Sequence, residues 1–257
     1  MSYNFKFGGS ALSEFYAFTT KRPPIEIAEY DGTRVSIPGK SGDEFLDNKR
    51  YKNVSMTREV GFVDRPGATP ADLERAFIDW LAYLHGYQEF EDSDHPGMVT
   101  YAVLENFPEA QRELELIHKA KLKFSRVPFW YVKTGFEPLA VDMSAATPTL
   151  SIENLYPVGS EPIIVFNTTA GSPFVIGYSI TAAGIQQNFE YLSVEGNITL
   201  TIDCEEYSAI SNFSGGAAYK PYDVPEGFGV GQNVFQITAG ADRISSIMIT
   251  PRWRCLN

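Results

Sequence analysis

The sequence predicts an α+β fold, mostly β, in two parts. Residues 1–138 would form a β-rich N-terminal domain with one main α-helix, and residues 139–257 a C-terminal β-sandwich. Three observations predict this. Hydrophobic residues make up 44% of 257 positions, enough to bury a core, while 21 Gly and 16 Pro suit turn-rich β structure. Only one segment carries a helical period. Charge shifts along the chain: 17 Lys/Arg and 21 Asp/Glu precede residue 138, and 4 and 11 follow it. Gly135, Pro138 and Pro148 punctuate that break.

The elements follow in order. "VSIPGKSGDEFLDNKRYKN", Val35 to Asn53, reads as a strand, a Pro38-Gly39 turn and a return strand, with Gly39 and Gly42 supplying positive φ. A phosphate loop fails here. Lys40 and Ser41 follow Gly39 at once, no helix start comes after them, and Asp43 and Glu44 would repel phosphate. Arg50 to Val63 reads as one long strand or hairpin arm.

Thr69 to Gly86 is the helix. Thr69 is the N-cap, Pro70 fits N1 and Asp72 completes a capping box. Leu73, Phe77, Trp80, Leu81 and Leu84 make one apolar face, and Gly86 is the stop. "YQEFED" and "MVTYAVLEN" are strands joined by "SDHPG", with Pro96 and Gly97 in the turn. "RELELIHKAKLKF" alternates with one interruption at Ile117–His118 and reads as a strand. Its charged face begins with two acids and ends with three bases, a pattern for meeting a neighbouring subunit's strand or for pairing within its own surface. After residue 138, "TLSIEN", "PIIVFN", "PFVIGYSI", "FEYLSV", "ITLTID", "VFQITA" and "ISSIMITPRW" are short β runs without a helix, which suggests a sandwich.

Chemistry is sparse. Glu89, Glu91, Asp92, Asp94 and His95 could ligate a divalent cation but read better as a solvated turn. His85, His95 and His118 have no short ligand spacing and read as structural. No GxSxG, Cys–His or GxGxxG signature occurs. Glu205–Glu206 is a carboxylate pair whose use as glycosidase acids depends on separation in space. In "PRWRC", alternation points Trp253 into the core and Arg252 and Arg254 outward. No catalytic, cofactor or metal residue is assigned. Cys204 and Cys255 read as free, buried thiols.

A net charge of −11 argues against nonspecific binding to DNA or anionic membranes. Neither a signal peptide nor an apolar stretch near the ~18 residues of a membrane span is evident, so synthesis in the cytoplasm is expected and the sequons at Asn53, Asn167, Asn197 and Asn212 carry no glycosylation meaning.

Taken in order, these segments resemble the distal tail (Dit) proteins of long-tailed bacteriophages, the hub of the siphophage tail and baseplate. The resemblance rests on "DGTRVSIPGKSGDEF" with "YKNVSMTREV", then "DWLAYLHGYQEFEDSDHPGMVTYA", "LKFSRVPFWYV", "LTIDCEEYSAI" and "MITPRWRCL". It implies a tail-tube-like ring-forming N-terminal domain and a galectin-like C-terminal sandwich. It also implies a homo-hexameric ring in the virion that caps the tail tube and passes DNA through a central channel. Tail-tube, tail-tip and receptor-binding or baseplate proteins would be the partners, with no enzyme activity, no cofactor and no membrane. The 119 residues after position 138 leave no room for the carbohydrate-binding insertions of some relatives. From other classes, the alternatives are a module binding a bacterial cell-wall polysaccharide and a carbohydrate-active enzyme using paired acids.

Overall fold

The computed structural model describes residues 3–62, 67–106, 110–113, 117–169, 174–193, 197–212, 218–219 and 227–256. It is mostly β with a single α-helix among the described residues, as the sequence predicts. The chain parts into two compact units, Met1–Trp130 with Leu256–Asn257, and Tyr131–Cys255. The division falls ahead of the composition break at residue 138. Tyr131–Phe136 belong with the second unit because they bond to the segment just before the chain's last strand: Val132 N–H donates to Trp253 O at 2.8 Å and Arg252 N–H to Gly135 O at 2.8 Å. Gly135 permits that approach, since a Cβ there would lie 2.6 Å from Trp253 N.

In the first unit the strands are β1 Phe5–Phe7, β2 Ser10–Ala11, β3 Ala17–Thr19, β4 Tyr30–Ser36, β5 Asp43–Tyr51 and β6 Val54–Phe62. After α1 Pro70–Ala82 come β7 Gln88–Asp92, β8 Met98–Leu104, β9 Ala110–Glu113 and β10 Ile117–Arg126. The main sheet runs β2-β1-β7-β8-β10-β6-β3, and β9 pairs with β10. β4 and β5 form a separate two-stranded sheet.

Period two sets the core face. Met56, Val60, Phe62, Leu122, Phe124 and Phe90 point inward with Phe5 and Phe7. Their rings interlock: Phe7–Phe124 centroids lie 5.0 Å apart, Phe5–Phe90 5.2 Å and Phe62–Phe77 5.3 Å. α1 covers part of this face. Thr69 caps it, accepting from Asp72 N–H at 3.3 Å while Asp72 accepts from Thr69 N–H at 3.0 Å. Leu73, Phe77 and Leu81 are buried, and Trp80 stacks on Phe15 at 4.8 Å. The helix ends at Ala82, and Gly86 follows with φ +71° in the chain that leads to β7.

Two readings need correction. The run from Arg50 to Val63 is not one strand: β5 and β6 divide at Lys52–Asn53, and Val63 lies outside the described residues. The run from Arg112 to Phe124 is a hairpin, with Glu113 opposite Ile117 and Arg112 opposite His118. A tight reversal can preserve two-residue alternation on both arms, so parity alone did not reveal it. Leu114, Glu115 and Leu116, which carry part of that pattern, lie outside the described residues.

β11 Trp130–Val132 begins on the last residue of the first unit's main segment, and the second unit continues with β12 Leu139–Ala140, β13 Thr149–Asn154, β14 Ile163–Thr168, β15 Phe174–Ala182 and β16 Ile185–Ser193. They are followed by β17 Thr199–Asp203, β18 Ser208–Ser211, β19 Ala218–Tyr219, β20 Gly231–Ala239, β21 Ile244–Thr250 and β22 Arg254–Cys255. A six-stranded sheet, β12-β21-β14-β17-β18-β19, and a four-stranded sheet, β13-β20-β15-β16, share one core. Ile164, Phe166, Ile202, Ile247 and Ile249 from the first sheet meet Ile176, Tyr178 and Phe235 from the second, which makes a β-sandwich.

Candidate functional site

The β4–β5 hairpin is an exposed arm. Lys40 N–H donates to Ile37 O at 3.1 Å across Pro38-Gly39, and Gly39 has φ +85°, the pattern of a type II turn. Gly42 follows with φ +86°, Lys40 pairs with Glu44, and Ser36 lies opposite Asp43. Nearer the root, the register shifts between Asp31 and Gly32. Lys49 takes φ +54° with its N–H on Asp47 Oδ1 at 2.5 Å, a bulge that bends the arm.

Both faces of this arm carry apolar side chains in water. On one, Phe45 lies over Gly32, where a Cβ would sit 2.1 Å from the ring, and Phe45 is still 52% exposed. On the other, Val35 and Leu46 are exposed, Leu46 at 55%. Neither outer edge of β4 or β5 has a strand neighbour among the described residues. An isolated two-stranded hairpin is marginal in water, and free edges with exposed apolar groups are sites for another chain. Five basic and four acidic residues lie between Tyr30 and Lys52, so the arm is nearly neutral in a chain of net charge −11.

The strap of residues 20–29 leads into the arm. It runs antiparallel to β6, tied by Thr20 N–H to Glu59 O at 2.9 Å and by Lys52 N–H to Glu29 O at 2.8 Å. Pro23 and Pro24 deny it a regular ladder. Glu26 turns inward into the fork of Arg58, with Nη1–Oε1 at 2.8 Å and Nη2–Oε2 at 3.0 Å. Arg126 Nη2 donates to Glu26 O at 2.8 Å.

The network continues beneath the strap. Arg58 Nε donates to Tyr3 Oη at 2.8 Å, and Tyr3 donates to Asp92 Oδ2 at 3.0 Å. Asp92 Oδ1 lies 2.7 Å from His95 Nδ1, and His95 stacks on Trp130 at 3.9 Å. A cavity of about 420 Å³ lies among Arg22, Glu26, Arg58, Asp92, Arg126 and Trp130. Burial opposes the charge on Arg58, but Glu26 and Tyr3 together outweigh it and keep the guanidinium protonated. Burial, with Asp92 beside it, pushes the Tyr3 phenol well above its ordinary range. Burial works to raise the Asp92 carboxyl too, yet the His95 hydrogen bond and charge hold it below the usual carboxylate range.

The acidic turn is therefore not wholly solvated: Asp92 is buried and spends its oxygens on Tyr3, His95 and the backbone N–H groups of Asp94 and His95. Among the described residues, no three His, Cys, Asp or Glu side chains gather to hold a metal ion. Pro96 and Gly97 close this turn, with Met98 N–H on His95 O at 3.1 Å and Gly97 at φ +77°. Sequence reasoning missed Tyr3, Glu26, Arg58 and Arg126. The available signal was parity, since Arg58 and Arg126 hold inward positions in Met56-x-Arg58-x-Val60 and Leu122-x-Phe124-x-Arg126.

The alternating strand face is partly compensated within its own sheet. Lys121 lies opposite Glu59 in register, and Lys123 Nζ pairs with Glu105 Oε2 at 3.0 Å.

At the C-terminus the expectation inverts. Arg252 and Arg254 are buried, while Trp253 is only partly buried against the sandwich core. Each guanidinium has partners that offset its desolvation. Arg252 grips Asp203 (Nη2–Oδ1 2.5 Å), Glu205 (3.3 Å) and Glu161 O (2.6 Å). Arg254 takes Glu161 Oε2 at 2.7 Å and Gly159 O at 2.7 Å. Arg252 has φ +53°, so the simple alternation of a last strand breaks there. Glu205 also accepts from the Tyr131 hydroxyl, so the Glu205–Glu206 pair does not form two free, facing acids. Cys204 and Cys255 are free and buried, and burial pushes the Cys204 thiol up to about 12 against the opposing charge of Arg252. Among the described residues, no helix is long and apolar enough to cross a membrane.

No family model matches the sequence, and no curated protein matches it. Among solved structures, the chain is similar to the SPP1 Dit (gp 19.1) protein, described as a paradigm of the hub adsorption apparatus in Gram-positive-infecting phages. The TM-score is 0.66 at 12% identity, over 97% of this chain and 98% of that one. The phage P2 baseplate in its activated conformation with Ca gives a TM-score of 0.43 at 8% identity, over 95% of this chain and 100% of that one. The same baseplate with Sr gives 0.43 at 7%, with the same coverages. The fold is that of a phage Dit hub protein.

Proposed function

We propose that this chain is a structural virion protein, a distal tail hub that assembles as a homo-hexameric ring. The ring caps the tail tube and leaves a central channel for DNA exit. Tail-tip and receptor-binding or baseplate proteins attach to it, with the second unit as a docking platform. Its role is mechanical rather than catalytic.

The observation that carries this reading is the arm. It exposes Phe45 on one face and Val35 and Leu46 on the other, with both strand edges unpaired among the described residues. Such a hairpin gains stability when another chain covers it. A nearly neutral arm on an acidic chain favours a second copy as that partner, because the arm can approach its acidic neighbour without like-charge repulsion. An arm that docks on a surface unlike itself makes a head-to-tail contact, which closes into a ring when the rotation permits. The Dit fold supports the same reading. Native mass spectrometry tests it: a species near six protomers is expected. A lone monomer retained on host cell-wall polysaccharide would favour a carbohydrate-binding module instead.

A further inference from the structure

We infer that the Glu26–Arg58 pair is a positioning latch for the assembly arm: it clamps the strap to the main sheet and so fixes the direction in which β4 and β5 leave it. The inference rests on the reading of the arm as the subunit contact.

The strap has little else to hold it along its length. Ile25 and Ile27 point to water at 78% and 61% exposure, and the Pro-Pro step prevents a ladder with β6. Arg22 pairs with Asp94 at 2.8 Å, but its side chain is 75% exposed, so that pair is weak. Glu26 differs. Its side chain is 13% exposed and its carboxylate sits bidentate on the guanidinium of Arg58, a side chain 3% exposed, and Arg126 grips its backbone carbonyl. Arg58 is itself held by Tyr3, so the receiving fork is rigid before the strap arrives. The next anchors along the chain, Ala28 in the core and the Asp31–Arg50 pair at 2.7 Å, lie at the arm's root. Freeing the Glu26 carboxylate therefore leaves the middle of the strap held only by the Arg126 bond to the Glu26 carbonyl and by the exposed Arg22–Asp94 pair.

The test uses the full chain with Glu26→Gln, which keeps shape and removes the charge. A spin label on Ile27→Cys reports the strap, because both native cysteines are buried. Helix content and the thermal midpoint report the fold, and native mass spectrometry the assembly. With Glu26→Gln the label should move several-fold faster and rings should need several-fold more protein, while helix content holds. Arg22→Ala should change neither readout. If Glu26→Gln does not fold, Glu26→Gln with Arg58→Met removes the stranded charge and gives the same readouts. An unchanged label overturns the latch, and a freed label with unchanged assembly overturns its positioning role. If the unaltered chain makes no rings, the assembly reading fails, and the label alone then decides whether the latch exists.

Discussion

Phe45 gives the sharpest handle on assembly. It is 52% exposed in the protomer. A phenylalanine side chain buries about 150–250 Å², so about 100 Å² remains to be covered, contributing about 2.5 kcal/mol at about 25 cal/mol per Å². Losing that weakens each subunit contact by about 50- to 100-fold. Phe45→Ser should therefore shift the concentration at which rings form by at least that factor, read by sedimentation velocity across a dilution series. Because Phe45 also covers Gly32, the change loosens the arm as well. Leu46→Ser, on the opposite face, supplies an independent arm. Tyr83→Ser is the control, an aromatic 83% exposed outside the arm, and should leave assembly alone. If both arm variants assemble at the wild-type concentration, the arm does not make the contact.

Gly39→Val forces a β-branched residue to φ +85°; the strain of about 1–2 kcal/mol should disorder the arm tip and weaken assembly, with the thermal midpoint of the first unit little changed. Asp92 has a depressed pKa, so its stabilisation is complete above the unfolded carboxylate value of about 3.9 and is lost as pH falls through the lower folded value. Asp92→Asn should cost about 1–3 kcal/mol at neutral pH and flatten the acid limb of a stability–pH profile; an unchanged limb would refute the role of that carboxylate. Cys204, with its thiol near 12, should resist iodoacetamide at pH 8 until denaturant is added, as peptide mass mapping would reveal.

Local chemistry made the helix legible: the Thr69–Asp72 capping box and the Leu73, Phe77, Leu81 stripe act over a few residues and need no tertiary context. The arm was legible for the same reason, since Pro38-Gly39 and Gly42 specify a turn by themselves. What escaped is non-local. Arg58 stands at an inward position because Glu26 and Tyr3 receive it, and Arg126 because the distant Glu26 carbonyl joins the nearby Val127 and Pro128 carbonyls in receiving it; no adjacent side chain announces the distant partners. Arg252 and Arg254 escaped likewise, their carboxylates lying at Asp203, Glu205 and Glu161. The hairpin at Glu113–Ile117 escaped because the same parity resumed after the interruption at Ile117–His118, where the return arm begins. Composition placed a break at residue 138, whereas the bonds of Val132 and Gly135 to Trp253 and Arg252 join Tyr131–Phe136 to the second unit.

Negative-stain microscopy of the purified full chain tests the central claim most directly. The account predicts rings with six-fold symmetry and a central hole, sparse or absent in Phe45→Ser at the same concentration. Isolated monomers at every concentration, or rings undiminished by the arm changes, would contradict it.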